Sequence, residues 1–128
     1  MTTSCRQRRK QMSLGQIESR FADIIWINEP ITTGELVKLA QKQLTWKRTT
    51  TYTILKRLCE KGLFINTDGT VTSLISKEDF YAKQSEKFVN ETFDGSLPAF
   101  IAAFSKRKKL SEEEINKLQE LITKMKED

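Results

Sequence analysis

The segment Trp46-Lys-Arg-Thr-Thr-Thr-Tyr-Thr-Ile-Leu-Lys-Arg-Leu-Cys-Glu-Lys-Gly62 constrains the fold more than any other part of the chain. Wound as an α-helix, at about 100° per residue, it sorts into two faces. Thr51, Ile54, Leu55 and Leu58 share one face. Thr49, Thr50, Thr53, Lys56 and Arg57 share the other, and Tyr52 falls near the boundary. The apolar face requires a core to pack on. The polar face carries short hydroxyls and cations, and no carboxylate follows until Glu60 at the end. Short hydroxyl side chains let a helix backbone approach a nucleic acid, and Lys and Arg neutralise phosphates. Two readings stand at this point: a helix that enters the major groove, and an ordinary amphipathic helix with a solvated polar face.

The flanking signals place this helix third in a small domain. Ser13-Leu-Gly-Gln16 fits a capping box, followed by Ile17, Phe21, Ile24, Ile25 and Trp26 at helical spacing. That helix is expected from about Leu14 to Asn28, stopped by Glu29-Pro30 because the residue before a proline avoids helical angles. Thr32-Thr-Gly-Glu35 is a second box, with Leu36, Leu39 and Ala40 as the buried stripe of a short helix ending near Gln43. Gly62 stands where a C-terminal glycine cap belongs. From Leu63 to Leu74, β-branched and apolar residues flank Asp68-Gly69, a strong two-residue hairpin turn. Three helices and then a hairpin is the order of a winged helix-turn-helix. The expected class is therefore mainly α: a winged helix over 13–76, preceded by a basic flexible arm over 1–12 and followed by a helical region over 77–128.

In that last region a fourth helix is expected from Ser76 to Phe93, carrying Phe80, Tyr81, Gln84, Phe88 and Val89, with a break at Asp94-Gly-Ser-Leu-Pro98. Ser96 can cap the next helix with Pro98 in its first turn, and Leu97, Phe100, Ile101 and Phe104 form its stripe. Ser105 to Lys109 reads as a basic linker. Ser111-Glu-Glu-Glu114 is a third capping box, its acidic residues placed where the helix dipole favours them. Ile115, Leu118, Ile122 and Met125 follow, widened by Leu121. Short helices with such stripes bury them poorly by themselves. The expectation is a homodimer through residues 79–126, with Phe88, Phe100, Phe104, Ile115, Leu118, Ile122 and Met125 at the interface. Packing of these helices onto the winged helix of the same chain is the alternative.

Charge divides the chain similarly. Residues 1–62 hold 12 Lys/Arg against 5 Asp/Glu, and residues 63–128 hold 10 against 12, within a net charge of +5. A basic front and a near-neutral back suit a nucleic-acid-binding head with a separate association module, although the arm alone supplies part of the imbalance. The chain has no His and no Cys-x-x-Cys, so a metal site is not expected and His-based catalysis is excluded. No Gly-rich phosphate loop is present either, and Glu112, Glu113 and Glu114 are better explained by the helix dipole than as acid–base residues. Neither an enzyme nor a cofactor is expected. Cys5 and Cys59 are not expected to pair; Cys59 reads as a small residue at a core edge, with a thiol sensor as the alternative. No run of about 18 apolar residues and no secretory pattern occur, so the expected location is the cytoplasm without membrane insertion.

The pattern resembles the BlaI/MecI/CopY family of bacterial penicillinase-repressor-like regulators. Glu18 with Ile24, Ile25 and Trp26 resembles the family's first-helix pattern. Trp46, Thr50, Thr53, Leu55, Arg57, Leu58, Lys61 and Gly62 resemble its recognition-helix signature. Lys87-Phe88-Val89-Asn90, Phe104, Leu110-Ser111, Glu114-Ile115 and Leu118 resemble its dimerisation segment. The resemblance implies a homodimeric repressor on a two-fold symmetric operator of double-stranded DNA, with Thr50 and Thr53 contacting the DNA. Lys47, Arg48, Thr49, Tyr52, Lys56 and Arg57 complete the expected DNA-binding set, and Arg57 either binds phosphate or braces the helix.

Departures from the family narrow the picture. The position between the two threonines is commonly basic in relatives and is Tyr52 here. Copper-sensing members carry a C-terminal cysteine cluster that this chain lacks, which argues against copper sensing. β-Lactam-responsive members are cut at an Asn-Phe bond; Ala103-Phe104 stands in the corresponding place, so a sensor-linked protease is a candidate partner. The wing contains Asp68 and neither Lys nor Arg, so the arm, with Arg6, Arg8 and Arg9, either reaches an adjacent minor groove in compensation or is simply disordered. A winged-helix module that binds a protein rather than DNA is the competing class, separable by salt-dependent retention on DNA.

Overall fold

The computed structural model describes residues 14–128. In chain order its elements are α1 (Gln16–Asn28), β1 (Ile31–Thr32), α2 (Thr33–Leu44), α3 (Arg48–Glu60), β2 (Phe64–Thr67), β3 (Thr70–Ser73), α4 (Lys77–Thr92), α5 (Leu97–Arg107) and α6 (Glu112–Glu127). The chain divides into two compact units, one through Ser85 and one over Glu86–Asp128.

The first unit is a winged helix. α1 starts two residues after the expected Leu14: Gly15 is the N-cap, and its N–H donates to Glu18 Oε1 at 3.2 Å, while Ser13 lies outside the described residues. Thr32 caps α2 as expected, its Oγ1 accepting from the Glu35 N–H at 3.2 Å. Phe21, Ala22, Ile24 and Ile25 of α1 pack with Leu36 and Ala40 of α2 and Leu55 and Leu58 of α3 in one closed core. Helical spacing alone brings these positions onto single faces.

The sheet has a third strand that the sequence did not announce. Its order is β1-β3-β2, with Ile31 opposite Val71 and Phe64 opposite Ser73 in antiparallel register. β1 is two residues long, too short for an alternating pattern to register. It exists because Ile31 is buried beside Val71. Two polar ties fasten the end of α1 to the hairpin. The Glu29 carboxylate accepts from Ser73 N–H at 2.7 Å and from Ser73 Oγ at 2.8 Å. Trp26 Nε1–H donates to the Ile75 carbonyl at 3.0 Å.

Trp26 also meets Phe80 and Tyr81, the rings lying 5.9 and 6.2 Å apart. The first turns of α4 therefore complete the winged-helix core, and the two units part at Ser85–Glu86 rather than at 76–77.

In the second unit Ser96 caps α5, accepting from the Ala99 N–H at 3.1 Å, and Ser111 caps α6 in a full box with Glu114. Phe88, Phe93 and Phe100 make edge-on ring contacts at 5.7–6.0 Å, and Phe104 extends the row from Phe100 at 6.2 Å. α5 runs through Arg107, so Ser105, Lys106 and Arg107 belong to a helix end and not to a linker. Cations are favourable in a last turn, where they face the negative end of the helix dipole. No side chain of α5 or α6 is fully buried.

Candidate nucleic-acid interface

α3 is set in place by the turn before it. Thr45 takes left-handed angles (φ 58°), its N–H donating to the Gln41 carbonyl at 3.1 Å, and Trp46 N–H donates to the Ala40 carbonyl at 3.3 Å. The Trp46 ring lies 5.0 Å from Phe21, which anchors the turn to the core. On the inner face Thr51, Leu55 and Leu58 are buried. Thr51 is admitted there because its hydroxyl donates back to the Lys47 carbonyl at 3.1 Å, so no polar atom is stranded.

The outer face carries all eight residues singled out for DNA. Lys47, Arg48, Thr49, Thr50, Tyr52, Thr53, Lys56 and Arg57 are all exposed. No acidic residue stands in the first turn of α3, so Lys47 and Arg48 add to the positive end of the helix dipole. Thr53 Oγ1 donates to the Thr49 carbonyl at 2.9 Å, which spends its proton and leaves the oxygen as an acceptor. Tyr52, at the edge of this face, lines a groove of about 580 Å³ with Lys56, Cys59, Ile65 and Leu74, between α3 and the hairpin. The hairpin turns on Asp68 and Gly69, both at positive φ (51° and 88°), a pair that suits a two-residue turn matched to strand twist. Asn66 Oδ1 closes the turn by accepting the Gly69 N–H at 2.9 Å.

Sequence reasoning missed one member of this surface. Glu18, from α1, places Oε2 3.3 Å from Arg57 Nη1 and Oε1 3.8 Å from Lys61 Nζ. The face of α3 thus gains a carboxylate from 39 residues away. Arg57 thus ties α3 to α1 through an ion pair while its side chain stays exposed. The only signal in the sequence was the coincidence of Glu18 and Arg57 in the family pattern. Cys59 is half-buried, and burial first, then neighbouring Glu60, pushes its thiol above the ordinary range, away from the thiolate a sensor needs.

The remaining site residues lie in the second unit. Phe88, Phe104, Ile115, Ile122 and Met125 are exposed, and Phe100 and Leu118 are half-buried. Ala103 and Phe104 sit inside α5, and the Phe104 carbonyl accepts the Lys108 N–H at 3.1 Å. Cys5, Arg6, Arg8, Arg9, Lys10 and Ser13 lie outside the described residues. Among those described, no helix is long and apolar enough to cross a membrane.

Comparison with known proteins agrees with this geometry. The family model described as penicillinase repressor matches residues 14–124. A penicillinase repressor of Bacillus licheniformis is 31% identical over 118 residues, covering 89% of this chain and 92% of that protein. The methicillin resistance regulatory protein MecI of Staphylococcus aureus (strain Mu50 / ATCC 700699) is 28% identical over 120 residues, covering 90% and 97%. A penicillinase repressor of Staphylococcus aureus is 24% identical over 117 residues, covering 88% and 93%. With a winged helix whose third helix turns a hydroxyl- and cation-bearing face outward, the chain belongs to the penicillinase repressor family, which is a family of transcriptional repressors and not of enzymes.

Proposed function

We propose that this chain is a cytoplasmic, homodimeric repressor that reads a two-fold symmetric operator with the outer face of α3. The observation that carries the reading is the division of that helix: Thr51, Leu55 and Leu58 sealed inward, and Thr49, Thr50, Thr53 and Lys56 exposed beside one another. Thr hydroxyls bond base edges or phosphates, and their methyls touch thymine methyls. Lys47, Arg48, Lys56 and Arg57 lie where phosphates flank a groove-bound helix, and the arm is tethered to the same unit. A dimer sets two such helices about 34 Å apart, one turn of DNA.

The apolar residues left exposed on α4, α5 and α6 support pairing through the second unit. Their partner is a second copy, which buries the same stripes against themselves in two-fold fashion. Release follows from whatever weakens that pairing, because a monomer loses the binding energy of the second half-site. Cleavage at Ala103-Phe104 by a sensor-linked protease is one such route. It requires α5 to open first, since this bond lies within a helix.

The test is a comparison of wild type with the double variant Thr50→Ala/Thr53→Ala on operator fragments selected by binding from the source genome. The expected outcome is a loss of about tenfold or more in operator affinity, at about one hydrogen bond's worth per hydroxyl, with the melting temperature unchanged. Unchanged operator affinity in a mobility-shift assay would remove α3 as the reader.

A further inference from the structure

Thr50, Thr53 and Arg57, spaced three and four apart, form one exposed line along α3. At the C-terminal end of that line stands the Glu18 carboxylate, 3.3 Å from Arg57. The two partners are unequally placed: the Arg57 side chain is 45% exposed and that of Glu18 only 17%. Glu18 is also held from behind, by the Gly15 N–H at 3.2 Å and by Lys61, whose side chain is 10% exposed. The anion is therefore fixed and the cation faces solvent. A phosphate that approached Arg57 would meet a guanidinium already turned toward an anion that cannot withdraw.

We propose that Glu18 is a positioning residue that acts through Arg57 as a brake on phosphate binding. This rests on the reading of α3 as the DNA-binding helix. Arg57 lies where a backbone contact is expected, and Glu18 competes with a phosphate for its guanidinium. Backbone contacts carry no sequence information. The brake therefore lowers affinity for operator and for unrelated DNA alike, and reduces the fraction of repressor held on the vast excess of unrelated sites. Three features separate this role from simple bracing. The pair joins two elements across the DNA-facing surface. In it Glu18 turns Oε2 to the exposed cation, while Oε1 holds Lys61. The Glu18 charge can also be removed separately from the cap, because a Gln at position 18 can still accept the Gly15 N–H, as Glu or Gln does at that place in a capping box.

The experiment uses the full chain and two duplexes, the selected operator and an unrelated sequence of equal length, over a series of salt concentrations. Glu18→Gln is expected to bind the unrelated duplex several-fold more tightly at low salt. For the dimer, its log affinity should fall more steeply with log salt by about 1.8, one phosphate's worth per protomer. Adding Arg57→Gln to Glu18→Gln should abolish the gain, whereas Arg57→Gln alone should change the wild-type slope little. A Glu18→Gln protein that melts like wild type and binds unrelated DNA unchanged or more weakly overturns the proposal. So does a wild-type slope that drops by a full phosphate's worth per protomer in Arg57→Gln alone, a result that does not depend on Glu18→Gln folding. The threonine variants measured on operator report separately on α3 as reader.

Discussion

Replacing Leu118 and Ile122 by Asp should separate the dimer proposed here. Ile122 is 55% exposed and its neighbours Ile115 and Met125 are 41% and 63% exposed, so roughly half of each side chain's apolar surface is still open to water in one chain. Full burial of a Leu or Ile is worth about 1.5–3 kcal/mol, which leaves about 1 kcal/mol for Ile122 and about half that for Leu118, already half-buried in one chain. Two side chains from each of two protomers give about 3 kcal/mol, roughly a hundredfold in the dissociation constant of the dimer. That figure is a floor, since a carboxylate pressed into an apolar interface adds its own desolvation. Sedimentation velocity over a dilution series reads the effect directly: wild type as dimer, the variant as monomer at the same concentrations. The α3 surface lies in the first unit and should be untouched. The variant should therefore keep weak, non-cooperative binding to single half-sites. Dimers of undiminished affinity would show that α6 does not form the contact and would refute the assignment of the second unit.

Three further outcomes follow from the described contacts. Trp26→Phe removes the donor that meets the Ile75 carbonyl at 3.0 Å and should cost about 1–3 kcal/mol, seen as a lower urea midpoint with an unchanged slope; an unmoved midpoint contradicts it. Glu114 is held below the usual carboxylate range, first by the Ser111 backbone N–H and then by the Ser111 hydroxyl, so α6 is favoured above the ordinary carboxylate pKa of about 4.3 and loses that support as pH falls through the lowered value. Helicity followed by circular dichroism should fall further on acidification in wild type than in Glu114→Gln, and equal profiles would exclude the cap as its source. In a Cys5→Ser background Cys59 should alkylate slowly at neutral pH and faster as pH rises, because burial disfavours its thiolate; modification at neutral pH faster than that of a free thiol would point to a reactive site instead.

What could be read in advance was local. Thr32 with Glu35, Ser111 with Glu114, Ser96 with Pro98, and Asp68-Gly69 each act within a few residues, and each signal survives in the fold because its partners lie on the same stretch of chain. The two faces of α3 were equally legible, since a helix imposes its period on whatever sequence adopts it. The parts that escaped depend on distant partners. β1 is two residues long and exists only by pairing with β3. The reach of Phe80 and Tyr81 back to Trp26 spans more than 50 residues of chain and ties the start of α4 to the first unit. The approach of Glu18 to Arg57 required α1 and α3 to be packed before the two charges could meet. The basic run Ser105–Lys109 misled because cations suit both a solvated linker and a helix end, and composition does not separate the two.

α5 and α6 enclose no side chain completely, so the second unit has no dry interior of its own. If a sister molecule supplies the missing wall, maturation of this unit is a second-order process, and its yield depends on how many copies the cell has made. A scarce supply would leave lone chains open to housekeeping proteases, and the stock of repressor would then fall more steeply than its rate of synthesis.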